Sequence, residues 1–171
     1  MTSAPAVRRF RRISDEHVQL RLPPAEQSLL ASVLPQLRAV IDGEAGVEHL
    51  RTRLFPPAYE DAEHEREFRE LVGDELVEQR RTALDSAIAT LDSGRTRGRH
   101  WSVDLDPEQV QAWLSVLHDL RLVLAQVVGI SSETDWERSV DEADPAELVL
   151  WHAGALQEEL LECLMSGLSD R

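Results

Sequence analysis

The stretch from Pro107 to Val128 constrains the fold more than any other. Val110, Trp113, Leu114, Leu117, Leu120, Leu124 and Val127 recur at helical spacing, and beyond Leu120 the segment is apolar nearly all round. A helix of that kind does not lie on a surface; other helices surround it. Its start is written into Asp106-Pro107-Glu108-Gln109. Aspartate caps, proline takes the first helical position, and Gln109 can reach back to complete a capping box. Gly129 closes it. The expected fold is therefore mainly α, a single-domain helical bundle around a central apolar helix over residues 106–129.

The rest of the chain arranges itself around that helix. Val7 to Ile13 and His17 to Leu22 alternate apolar and polar residues across Ser14-Asp15-Glu16, which predicts a short N-terminal β-hairpin over residues 7–22. Pro23-Pro24 ends the hairpin and starts a helix to Ile41, with Pro35 expected to kink or split it. A second helix is expected from Gly46 to Leu54, stopped by Phe55-Pro56-Pro57. An acidic helical segment follows from Glu60 to Glu78, with a break expected at Gly73-Asp74, and helix resumes through Leu84, Ile88 and Leu91. The first helices thus occupy residues 24–92. Ser93 to Arg99 is expected as a loop. Trp101, Val103 and Leu105 alternate with polar residues and can add a third strand beside the hairpin. Ser131 to Ala143 reads as an acidic solvated connection with a helical turn around Trp136. Asp144-Pro145-Ala146-Glu147 repeats the helix-start device for a last helix over residues 145–168.

At 171 residues, one domain burying roughly 70% of its unfolded surface is expected. The formal net charge is −14, from 18 basic and 32 acidic residues. That balance disfavours broad nucleic-acid binding and docking on an anionic membrane, and it favours basic protein partners. Every basic side chain is arginine. Without lysine there is no Schiff-base nucleophile, no pyridoxal-phosphate anchor and no P-loop lysine. The lone cysteine, Cys163, allows neither an intrachain disulfide nor a cysteine zinc cluster. No apolar run of signal-peptide length follows Arg8, Arg9, Arg11 and Arg12, so a cytoplasmic location is expected.

Candidate chemistry is sparse. His64-Glu65 resembles the opening of a zinc-protease helix, but Phe68 stands where the second histidine belongs, so no metal site is expected. His118, Asp119 and Arg121 lie within the most apolar helix. They form either a structural network paired to neighbouring helices or an internal polar pocket in which His118 acts as acid or base. Gly94-Arg95-Thr96-Arg97-Gly98-Arg99, with the N-terminal arginines, can make a positive patch for phosphates. Cys163 falls on the apolar stripe of the last helix; the choice is a buried inert thiol or a reactive redox thiol.

Several stretches carry a resemblance. Leu54-Phe55-Pro56-Pro57-Ala58-Tyr59, Glu67-Phe68-Arg69, Trp113-Leu114, His118 through Leu124, and Trp151 with Gln157-Glu158 occur in this order. In this the chain resembles an actinobacterial domain-of-unknown-function family whose characterised members are AosR-type oxidative-stress transcriptional regulators. The resemblance implies a non-enzymatic regulator without a cofactor, acting through a protein partner such as a sigma factor of RNA polymerase. That family's redox idea uses two cysteines four positions apart. Here Gly167 stands four after Cys163, which leaves only an intermolecular disulfide, and hence a homodimer, as a thiol route.

The leading expectation is thus a regulatory protein that binds a protein partner through acidic surface, at Glu60–Glu78 or Glu133–Asp144. Two alternatives stand beside it: a small enzyme with an internal pocket around His118, Asp119 and Arg121, and a DNA-binding protein using the N-terminal arginines.

Overall fold

A computed structural model describes residues 8–129 and 144–169. The expected acidic connection and Trp136 lie outside the described residues. The described chain is mainly helical. Strands β1 (Phe10–Arg12) and β2 (Val18–Leu22) form the hairpin, followed by helices α1 (Pro24–Asp42), α2 (Glu48–Leu54) and α3 (Ala62–Ser93). Strands β3 (Arg95–Arg97) and β4 (His100–Leu105) come next, then α4 (Pro107–Val127) and α5 (Pro145–Ser169).

The central helix has the position its composition demands. α4 packs between α3 and α5, with α2 and α1 also against it. Val110, Trp113, Val116, Leu117, Leu120 and Val123 are buried. The Asp106 carboxylate accepts from the Gln109 amide at 2.8 Å, and the Gln109 side chain accepts from the Asp106 amide at 2.9 Å, so the capping box is complete. Asp144 accepts from the Ala146 amide at 2.9 Å at the start of α5.

The sheet is larger than the hairpin. Its order is β1-β2-β4-β3, antiparallel throughout, with Leu20 opposite Val103 and Leu22 opposite Trp101. Phe10, Val18, Leu20, Leu22, Trp101 and Leu105 join the helical core from one face. β3 falls where a loop was expected. Arg95-Thr96-Arg97 is fully exposed and has no apolar alternation to reveal a strand; edge pairing to β4 makes it one. Gly98, at φ 62, supplies the left-handed turn between them. Trp101 lies so close over Gly94 that a Cβ there would sit 2.1 Å from the indole ring.

Two expected breaks are absent. α3 continues through Gly73, where an added Cβ would meet only the Arg69 side chain at 3.9 Å. One interior glycine costs about 1 kcal/mol, which the strong helix formers around it outweigh. α1 likewise runs on through Pro35 without splitting. Leu30, Leu34, Leu37, Val40 and Ile41 are buried along one face on both sides of the proline, and their packing offsets the lost hydrogen bond. No helix among the described residues is long and apolar enough to cross a membrane.

Candidate functional site

The most organised polar constellation lies where α2 hands over to α3. Pro56 and Pro57 forbid further helix, so the chain from Phe55 to Asp61 crosses to α3 as loop. Its backbone polar groups are held by side chains. The Arg69 guanidinium donates to the carbonyl oxygens of Phe55 at 2.7 Å and Pro56 at 3.2 Å. One turn earlier, Glu65 accepts from the amides of Ala58 at 2.7 Å and Tyr59 at 3.0 Å, and from Arg69 Nε at 2.6 Å. The Arg69 hydrogen bond and the two loop amides hold the Glu65 carboxyl below its ordinary range. Asp61 caps α3, accepting from the amides of Glu63 and His64 at 3.0 Å each.

The same loop is tied into the core. Phe55 is buried, and the guanidinium carbons of Arg51 and Arg80 stand 5.0 and 5.3 Å from its ring centroid. Arg80 donates to the carbonyl of Leu54 at 2.9 Å and pairs with the carboxylate of Asp119 on α4. Burial pushes the Asp119 carboxyl up, and Arg80 opposes that shift. This arginine is the link that the sequence did not reveal. Arg80 and Asp119 are 39 positions apart, and no spacing rule connects them.

His118, Asp119 and Arg121 do not form one site. At 100° per residue they leave α4 in different directions. Asp119 meets Arg80 on α3, Arg121 donates to the Gln157 side chain on α5 at 2.7 Å, and His118 is exposed. Cys163 is 6% exposed, and burial pushes its thiol up against the pull of the nearby Arg12. The N-terminal arginines also separate. Arg9 is held by Glu26 at 2.7 Å and Glu159 at 2.6 Å, and Arg12 turns onto the hairpin loop. No group of three or more potential metal-ligating side chains occurs among the described residues.

A family model described as a domain of unknown function, DUF2017, matches residues 7–164. The chain belongs to this family. No curated protein and no solved structure matches it significantly. In this DUF2017 chain, fold geometry brings together stretches that are scattered in sequence: Leu54–Tyr59, Glu67-Phe68-Arg69 and Asp119 all belong to the clamped loop or to the network beneath it.

The clamp carries an exposed surface. Tyr59 is 51% exposed and stands edge-on to Phe68 and His64, with ring centroids 5.8 and 6.1 Å apart. Tyr59, His64, Glu67, Phe68 and Leu71 line a shallow depression of about 280 Å³. Leu71 is 82% exposed. None of the residues from Ala62 to Ala83 is buried; the buried residues of α3 begin at Leu84. Val77 and Ala83 are the first apolar residues of α3 packed against the core, so the part before them projects past it and presents an aromatic and aliphatic patch. Glu60, Asp61, Glu63, Glu67 and Glu70 surround it.

Proposed function

We propose that this protein is a non-enzymatic regulator that works by docking a basic protein partner on the outer half of α3. One observation carries the reading: an exposed apolar patch, held rigid by a dedicated hydrogen-bond clamp, lies on a helix that has left the core. Apolar side chains that contribute nothing to the core are the usual centre of a protein interface, and fixed loops bind with less ordering cost than mobile ones. Nine carboxylates and two arginines lie between Glu60 and Glu78. They steer a basic partner and define the rim.

The resemblance to AosR-type regulators supports a finer reading, in which the partner belongs to the cytoplasmic transcription machinery, such as a sigma factor, and the stimulus is oxidative stress. The burial of Cys163 favours a version in which the oxidant signal reaches the complex through the partner. Capture of the partner by the immobilised protein at low and high salt tests the docking surface. The acidic rim should lose its partner as salt screens it, and retention indifferent to salt would contradict a charge-steered contact.

A further inference from the structure

The acid excess is not spread evenly. Strand alternation and register place Arg11, Arg21, Arg95 and Arg97 on the solvent face of the sheet. Arg11 stands opposite Gln19, Arg21 opposite Ser102, Ser102 opposite Arg95, and His100 opposite Arg97. Several arginines elsewhere are held by carboxylates: Arg9, Arg38, Arg69, Arg80 and Arg81 all sit in ion pairs. Among the described residues the four on the sheet have no such partner. Arg11 donates to the Gln19 side-chain oxygen at 3.2 Å, and the Arg21 guanidinium stands 2.9 Å from His100 Nδ1. The one acid on this face among the described residues, Asp104, is engaged by the Gln19 amide at 3.0 Å.

We infer that the solvent face of the sheet binds the phosphate backbone of duplex nucleic acid without reading its sequence. The chemistry of the face distinguishes this from a protein contact. Among the described residues its side chains are arginine, glutamine, serine, histidine and aspartate, with no tryptophan, tyrosine, phenylalanine or aliphatic anchor of the kind protein interfaces need at their centre. Polar, cationic surfaces of this composition suit phosphates, which guanidinium groups grip in pairs of hydrogen bonds. The absence of an aromatic platform on the face argues against single strands, whose bases stack on such rings. Arg95 and Arg97 are spaced about 6.6 Å along one strand, and Arg21 lies two strands from β3, about 9.6 Å away. Most carboxylates of α3 lie away from this contact, Asp92 in the last turn being the exception. The acidic segment of α3 ends at Glu78, 15 residues before Ser93 and so about 22 Å along the helix from the sheet. That exceeds the Debye length of about 10 Å at 0.1 M salt.

The test is fluorescence anisotropy of the full chain with a labelled DNA duplex of mixed sequence, about 20 base pairs long, at salt from about 50 to 200 mM. Binding should appear at the low end and weaken steeply, because each of up to four phosphate contacts contributes about −0.9 to the slope of log K against log salt. The variant R11Q/R21Q/R95Q/R97Q should bind at least about tenfold more weakly with a flatter slope. The variant R11K/R21K/R95K/R97K, which keeps the charge, should retain most of the binding, and an unchanged thermal denaturation midpoint of the glutamine variant shows that its loss of binding is not loss of fold. Absence of binding by the unaltered protein at the lowest salt, equal binding by the glutamine variant, or tighter binding of poly-glutamate than of the duplex would each overturn the inference. None of these outcomes touches the α3 docking surface, which the salt-dependent capture tests separately.

Discussion

Asp119 is 3% exposed on α4, and the guanidinium that neutralises it comes from Arg80, 39 residues away on α3. The pair does more than join two helices. Arg80 also holds the Leu54 carbonyl and lies over Phe55, so this side chain helps fix the loop that carries Tyr59 to the core.

Removing one partner should therefore cost more than removing both. Arg80→Met leaves a buried carboxylate unpaired, and the expected loss is about 3 kcal/mol, at the low end of the range for broken buried pairs because Arg80 is itself partly exposed. Adding Asp119→Leu should recover most of that loss. Chemical denaturation of the two single variants and the double variant measures it; additive losses would show that the pair is not coupled.

The central helix gives a graded packing test. Leu117 is wholly buried, whereas Leu124 is only partly buried against the core. Leu117→Ala should cost about 2–5 kcal/mol, and Leu124→Ala clearly less. Equal losses in denaturant midpoint would contradict the placement of α4.

How far the sequence reveals this structure depends on whether a signal is local. The capping box at Asp106 and Gln109 is spelled in four residues, and the apolar circumference of α4 states its central position. The hairpin declares itself by alternation. β3 is silent because its three residues are polar and owe their conformation to a neighbouring strand. Pro35 misleads because propensity counts only the local cost, while a buried face on either side decides the outcome, and Gly73 misleads because one glycine is outweighed by the helix formers around it. The loop clamp is half visible: Glu65 and Arg69 have helical ion-pair spacing beside a Pro-Pro break, but their reach to Phe55 and Tyr59 depends on the fold. The Arg80–Asp119 link has no local signal at all.

His152 gives a pH prediction. Its ring is packed on α5 beside Glu26, Arg9 and Glu159, with Nε2 buried without a hydrogen-bond partner and 3.7 Å from the Glu26 carboxylate. Burial, aided by Arg9, holds its pKa below the ordinary histidine value of 6.5 against the pull of Glu26 and Glu159. The folded state thus binds fewer protons than the unfolded one. Stability from this group is complete above the unfolded pKa and is lost as pH falls below it. Between about pH 7 and 5 the denaturation midpoint of His152→Gln should fall less than that of the unaltered protein. An identical fall in both would remove His152 from the account.

Cys163 should be inert in the folded chain. Its burial and raised pKa predict no reaction with a thiol reagent under native conditions and prompt reaction in denaturant. Rapid native labelling would restore a direct redox role for this thiol.

The docking surface can be tested without disturbing the core. Tyr59 and Leu71 are largely exposed, so Tyr59→Ala with Leu71→Ala should change stability by no more than about 0.5 kcal/mol per site. The direct measurement compares proteins captured from native cells by the unaltered chain and by this double variant, quantified side by side at low salt. The account predicts a partner that the unaltered chain retains and the variant loses at least about tenfold, the effect of removing interface anchors worth 1.4 kcal/mol or more. Recovery of the same proteins in equal amounts by both would contradict it.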